Sequence, residues 1–346
     1  MTLKELVRPN IWNLKPYTCA RDEFSGEAQA WLDANENSII TDYNRYPDPL
    51  QREVKTLIGQ YRGIDPQNIF LGVGSDECID IAYRVFCQPG VDNVVAIEPT
   101  YGMYQVCADI NQVEYRRALL NDDFSLNIDN IFAACDSNTK ILWICSPNNP
   151  TANAFPIEQI KEIASRFEGI TIVDEAYIDF SAKGSMAHAL ADFPRLIVMQ
   201  TLSKAWAHAA IRLGIAFAST DIINIYNKVK YPYNVSQLTQ QQAIKALNNA
   251  AEVEAVVGQL IDARNNLAAQ LNSLNCVTTI YPSDANFLLV KVTDANDIYK
   301  YLCDNGVVVR NRCRVALCNQ CLRITVGNDT ENALLIEYLK KYGAKR

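Results

Sequence analysis

Residues 1–30 are polar, carry Pro9 and Pro16 and show no period, so they read as an arm lying on another part of the chain. A helical rhythm begins in YPDPLQREVKTLIGQYR, where Leu50, Val54, Leu57, Ile58 and Tyr61 share one face. Asp48 is its expected cap and Pro49 its first residue, which predicts a helix running to Arg62. After it, short β-rich runs (IFLGV, NVVAIEP, KILWICSP, ITIVDEAY, RLIVMQT, LGIAFAS) are interleaved with helical stretches over 75–87, 100–110, 156–167 and 221–230. Several runs are apolar throughout, as strands covered on both faces are. This alternation predicts a doubly wound, largely parallel α/β sheet with helices on both sides. From Ser236 to about Leu274 an Ala- and Asn-rich helical region follows. A smaller α/β set comes last: TTIYP, NFLLVKV, a helix over 295–304, VVVRN, CLRITVG and a helix over 330–341. The expected division is an arm (1–30), a large domain (31–240) and a small domain (241–346).

The length of 346 residues fits about two domains, and 49% apolar with 21% charged residues is ordinary globular composition. Acids outnumber Lys and Arg by 39 to 32, which argues against a nucleic-acid partner because that affinity comes from neutralising phosphates. A small anion held by a few arginines in one cleft stays compatible with it. Two histidines, His188 and His208, leave little room for a multi-histidine metal site. MTLKELVRPN lacks the apolar core of a secretory signal, and no run is long enough to span a membrane. The odd count of eleven cysteines reads as free thiols in a reducing cytosol. Cys313, Cys318 and Cys321 include one C-x-x-C but lack a fourth ligand, so no metal is expected.

In open α/β sheets ligands collect at the carboxyl ends of strands. Four such ends here share one theme. IFLGV leads into Gly74-Ser75-Asp76-Glu77 and a helix, a backbone suited to phosphate but equally a good helix N-terminus. KILWIC leads into Ser146-Pro147-Asn148-Asn149-Pro150-Thr151, a rigid turn whose amides could donate to a phenolate oxygen. TIV ends in Asp174-Glu175-Ala176-Tyr177; a carboxylate extending an apolar strand needs a partner, either a neighbouring Lys or Arg or a protonated ring nitrogen. LIVMQ ends in Thr201-Leu202-Ser203-Lys204 with Arg212 eight residues on. A lone lysine is usually solvated, but this one follows a buried strand, where its pKa can fall and it can serve as nucleophile or proton shuttle. Pyridoxal phosphate, with its phosphate, pyridinium nitrogen, phenolate oxygen and aldehyde, asks for all four together.

The strings LDANEN, NRYPDP, GVGSDE, PTYGMY, SPNNPT, DEAYIDF, TLSKAW with IRLG, and CLRITVG are similar to the histidinol-phosphate aminotransferase family of fold type I pyridoxal-phosphate enzymes, over almost the whole chain. The resemblance implies that Lys204 links to the cofactor aldehyde, that Asp174 pairs with the ring nitrogen, and that Tyr177 and Asn149 hold the phenolate oxygen. Tyr101 would lie on the ring face. Ser75, Asp76, Ser203 and Arg212 would hold the cofactor phosphate, joined across a homodimer interface by Tyr46. Arg323 would grip the substrate carboxylate, while Tyr17, Asn35 and Arg310 would line the substrate pocket, Arg310 towards the substrate phosphate. The implied reaction is ping-pong transamination between L-histidinol phosphate and 2-oxoglutarate, giving imidazole-acetol phosphate and glutamate, in the cytoplasm. The chain departs from the family at Ala152, where glycine is usual, at Ala207-His208, where His208 reads as a filler, and in SIITDY, which lacks Pro-rich text. Alternatives on the same fold are a broad aromatic-amino-acid aminotransferase and a threonine-phosphate decarboxylase. A non-catalytic cofactor-binding regulator is opposed by the intact Lys204, Asp174 and Tyr177, and a hydrolase by the lack of a G-x-S-x-G elbow.

Overall fold

The computed structural model describes residues 1–24 and 26–344. Seven of the apolar or edge runs form one sheet: β1 (Ile69–Val73), β2 (Asn93–Glu98), β3 (Glu114–Leu119), β4 (Thr139–Cys145), β5 (Ile170–Asp174), β6 (Leu196–Thr201) and β7 (Leu213–Ala218). Their order is β1-β7-β6-β5-β4-β2-β3, and only β7 runs against its neighbours. Its central strands are buried on both faces because helices cover both. On one face Phe70, Val94, Trp143 and Ile172 pack against the helices Gly74–Phe86, Met103–Ile110 and Thr220–Val229. On the other, Leu71, Val95, Leu142 and Val198 meet Val54, Ile58, Ile160 and Ile163. Each such side chain contributes roughly 1.5–3 kcal/mol on burial.

β3, EYRRAL, is absent from the apolar pattern because it is an edge strand: only Ala118 of its six residues is buried, and three of the other five (Glu114, Arg116, Arg117) are charged. The helix expected from Pro49 begins at Arg52 instead, after Gln51 turns to φ +50°. The cap position falls at Gln51, which makes no side-chain cap bond, so neither Asp48 as cap nor Pro49 as first residue holds; Asp48 Oδ2 still accepts from Arg52 N at 2.7 Å from outside the helix. The helical region from Ser236 is two helices, Gln237–Leu247 and Ala250–Asn272, broken at Asn248-Asn249. Asn side chains compete for backbone groups, and Asn249 Nδ2 takes the Lys245 carbonyl at 3.1 Å.

A second sheet, all antiparallel, has the order β10-β11-β9-β8: β8 (Val277–Ile280), β9 (Phe287–Val292), β10 (Arg310–Asn311) and β11 (Cys321–Thr325). Of VVVRN only Arg310 and Asn311 pair. Leu267, Leu271, Ile298, Leu335 and Ile336 cover this sheet from the helices around it. At the amino end, Leu6 and Val7 are buried and Arg8 N donates to the Val85 carbonyl at 2.9 Å. The chain then runs over the surface, leaving Tyr17, Leu32, Ile39, Ile40 and Tyr43 exposed.

Candidate active site

The carboxyl ends of β1, β2, β4, β5 and β6 open onto a cavity of about 720 Å³, closed on another side by residues around β10 and β11. That volume suits a small-molecule site, typically 300–1,000 Å³. At one end β1 turns into its helix through Gly74 at φ +72°, whose N–H donates to the Arg212 carbonyl at 2.9 Å. A Cβ on Gly74 would collide with the Arg212 guanidinium, and one on Gly214 with the Gly74 backbone. Arg212, itself at φ +54°, therefore lies over the helix N-terminus. There its Nη2 meets Asp76 Oδ2 at 3.3 Å, and Tyr101 Oη donates to Asp76 Oδ1, also at 3.3 Å. Ser75, Ser203 and Lys204 complete this end of the cavity, with Ser203 Oγ 3.0 Å from Thr201 Oγ1.

Asp174, 3% exposed at the end of β5, has no ion pair with Lys or Arg among the described residues. Its carboxylate accepts instead from Tyr104 Oη at 2.6 Å and from Ala176 N at 3.1 Å. Burial raises its pKa, and those two donors work against the rise. Lys204 is reached from the cavity, its Nζ 5.6 Å from the centroid of the Tyr177 ring. Burial lowers its pKa, Arg323 adds to that, and Asp174 opposes it. The two asparagines of SPNNPT separate in role. Asn148 ties the turn together through Pro99 O and Thr151 Oγ1, both at 2.8 Å, whereas Asn149 lines the cavity and accepts from Arg323 Nη1 at 2.5 Å.

Arg310 and Arg323 face each other in register across β10 and β11. Like charges directly opposed on a ladder destabilise it. Sequence reasoning missed Tyr104, Arg312 and Arg314, the last two also cavity-lining. The alternation R-N-R-C-R was the available signal for the arginines, since every second residue of an extended segment shares a face. Of the expected residues, Tyr17, Asn35 and Tyr46 do not come to this cavity. All three are exposed; Tyr46 stacks on Tyr233 at 4.4 Å, beside a Glu36–Arg21–Arg45 cluster. His208 also lies outside, its Nδ1 against the Trp206 carbonyl. Ala152 takes the glycine-like φ of +70° and keeps the turn, its N–H donating to Asn148 O at 2.7 Å. Among the described residues no group of His, Cys, Asp and Glu could hold a metal, and none of the eleven cysteines is in a disulfide.

Residues 11–339 match the family model for aminotransferase class I and II. The chain belongs to that family. A histidinol-phosphate aminotransferase of Bacteroides thetaiotaomicron is 54% identical over 342 residues, 99% of each chain. Among solved structures, the histidinol-phosphate aminotransferase of Clostridium acetobutylicum superposes with a TM-score of 0.80, covering 88% of this chain and 92% of that one at 21% identity. The Sinorhizobium meliloti histidinol-phosphate aminotransferase in complex with pyridoxal 5′-phosphate gives 0.78, covering 87% and 83%, also at 21% identity. These structural likenesses establish the fold. As an aminotransferase of this family the enzyme uses pyridoxal 5′-phosphate. The residues present fit it: a buried carboxylate lacking a cationic partner, a lysine with a lowered pKa, and a helix N-terminus where Arg212 leaves no room for a Cβ.

Proposed function

We propose that this aminotransferase exchanges the amino group between L-histidinol phosphate and 2-oxoglutarate, forming imidazole-acetol phosphate and glutamate in histidine biosynthesis. The observation that carries the reading is the Arg310–Arg323 pair, in register and without an acid partner among the described residues, at the β10–β11 end of the cavity. It gives the cavity an anion site separate from Arg212, as a phosphorylated substrate of a phosphorylated cofactor requires. The full-length likeness to histidinol-phosphate aminotransferases supports the same substrate.

When bound, pyridoxal phosphate supplies a reactive carbonyl carbon and a ring that accepts electron density. Ser75 and Asp76, through backbone N–H groups at the start of their helix, hold the cofactor phosphate with Ser203 and Arg212. Asp174 would pair with the ring nitrogen, and Tyr104 fixes its carboxylate. Tyr177 Oη and Asn149 Nδ2 donate to the phenolate oxygen, and Tyr101 covers one ring face. Lys204 Nζ, its pKa lowered, takes up the proton from the substrate carbon, a task typically worth 10²–10⁴-fold in rate. Arg323 binds the glutamate carboxylate and Arg310 the substrate phosphate.

The enzyme acts as a homodimer in the cytoplasm, with Tyr46, Tyr17 and Asn35 completing the partner's site. The exposed Tyr17, Leu32, Ile39, Ile40 and Tyr43 support an interface there. No described helix is long and apolar enough to cross a membrane. The division into 1–30, 31–240 and 241–346 belongs to the same proposal, the last part carrying the second sheet. Half-reactions followed by cofactor absorbance with histidinol phosphate, histidine, phenylalanine and threonine phosphate test the reading. Histidinol phosphate should react fastest, without release of CO₂; preference for phenylalanine, or CO₂ from threonine phosphate, would overturn it.

A further inference from the structure

The cavity is lined by six cationic side chains (Lys204, Arg212, Arg310, Arg312, Arg314, Arg323) against three acids (Asp76, Glu98, Asp174), in a chain of net charge −7. The acids are engaged away from Arg310, Arg312 and Arg314. Asp76 pairs with Arg212, Asp174 accepts from Tyr104, and Glu98 feels the charge of Arg117. No carboxylate among the described residues lies within ion-pair reach of Arg310, Arg312 or Arg314, although elsewhere arginines such as Arg62 and Arg116 are paired.

Arg312 stands out within this group. Its N–H donates to the Cys321 carbonyl at 2.9 Å, continuing the ladder one step past Asn311↔Leu322. Extended backbone then sets Arg312 on the face of Arg310, while Asn311 turns away to Asn296 Oδ1 at 2.8 Å. Its Nε is fully buried with no acceptor. A buried guanidinium nitrogen without an acceptor is costly, more so beside two further guanidinia. Burial and the charges of Arg323 and Arg310 together push the Arg312 pKa down to about 10. A doubly charged ligand relieves this arrangement better than a singly charged one.

We infer that Arg312 is a specificity-determining residue which, with Arg310, binds the phosphate dianion of the amine substrate and sets the preference for it over the monoanionic carboxylates of glutamate. The inference rests on the reading of the cavity as an aminotransferase site for a phosphorylated amine. Phosphate also changes charge with a pKa near 6, so the preference conferred by Arg312 is pH-dependent.

The test uses the holoenzyme with saturating cofactor. In Arg312→Ala, kcat/KM for histidinol phosphate should fall about ten- to a hundredfold further than kcat/KM for glutamate, the range for a charge-assisted hydrogen bond. Arg312→Lys should recover part of the difference, and the fall in preference below about pH 6 should vanish in Arg312→Ala. Calorimetric titration with inorganic phosphate gives a readout independent of turnover: the wild type should bind it and Arg312→Ala at least about fivefold more weakly. Equal losses for both substrates, or unchanged phosphate binding, would overturn the inference. If Arg312→Ala does not fold, Arg312→Gln and Arg312→Lys are judged by the same criteria. A wild type inactive on histidinol phosphate that still binds inorganic phosphate through Arg312 would sink the substrate reading and leave the anion subsite standing. Activity on histidinol phosphate indifferent to Arg312 would do the reverse.

Discussion

Asp174 is 3% exposed, and Tyr104 is the side chain whose hydroxyl donates to its carboxylate, opposing the rise in pKa that burial causes. Removing the hydroxyl in Tyr104→Phe should weaken cofactor binding about ten- to a hundredfold, the worth of one hydrogen bond to a carboxylate. Titration of the apoenzyme with pyridoxal phosphate measures this, and an unchanged Kd would reduce Tyr104 to packing. Its neighbour Glu175 is also buried, accepting from Ser185 Oγ at 2.5 Å, Met186 N at 2.7 Å and Gln200 Nε2 at 2.9 Å. Burial outweighs these bonds and raises its pKa from 4.5 to about 7. The folded state thus holds a proton that the unfolded chain has lost across that interval. Stability from this group is greatest below about pH 4.5, declines as pH rises, and levels off above about 7. Urea midpoints at pH 5 and 8 should therefore differ less in Glu175→Gln than in the wild type, and identical differences would contradict the shift. The chemistry of single residues was legible where it sat at strand ends, as with Asp174, Asn149 and Lys204. Tyr104 was not, because its partner lies 70 residues away and no local spacing records such a pairing.

At the scale of elements, the approach of β7 at Gly214 to the Gly74 turn that leaves β1 is the tightest glycine contact. Gly214→Ala would drive a methyl into the Gly74 backbone, a clash costing about 1–3 kcal/mol or more, and would shift Arg212 with it. Both a lower thermal midpoint and poorer cofactor retention are expected; loss of neither would show that the strands can part freely. Ala152 illustrates the opposite tolerance. A left-handed conformation costs an alanine about 1–2 kcal/mol, and burial of its methyl returns about 0.8 of that, so the family's usual glycine is dispensable here. The buried parallel strands announced themselves as continuous apolar runs. β3 did not, because edge strands carry charge; β10 was expected across VVVRN, but only its last two residues pair.

For the whole molecule, the arm and the residues up to Tyr46 expose apolar side chains that the single chain does not cover. Coexpression of Lys204→Ala with Tyr46→Ala at limiting cofactor tests a shared site. Random pairing in a two-fold dimer leaves about a quarter of all sites intact, so the mixture should regain about that fraction while each parent stays low. Activity no greater than the mean of the parents would rule out exchange across an interface. Nothing periodic in the sequence encodes such a neighbour, which is why Tyr46, Tyr17 and Asn35 rest on resemblance while the strand-end residues meet in one cavity. The bond from Arg323 on the second sheet to Asn149 Oδ1 on the first has one further consequence. With its oxygen turned to the guanidinium, that amide can offer the opposite side only its NH₂. It thereby acts as a polarity filter: any oxygen with a lone pair is welcomed, a group that can only donate finds no acceptor, and the second sheet sets this discrimination for the first.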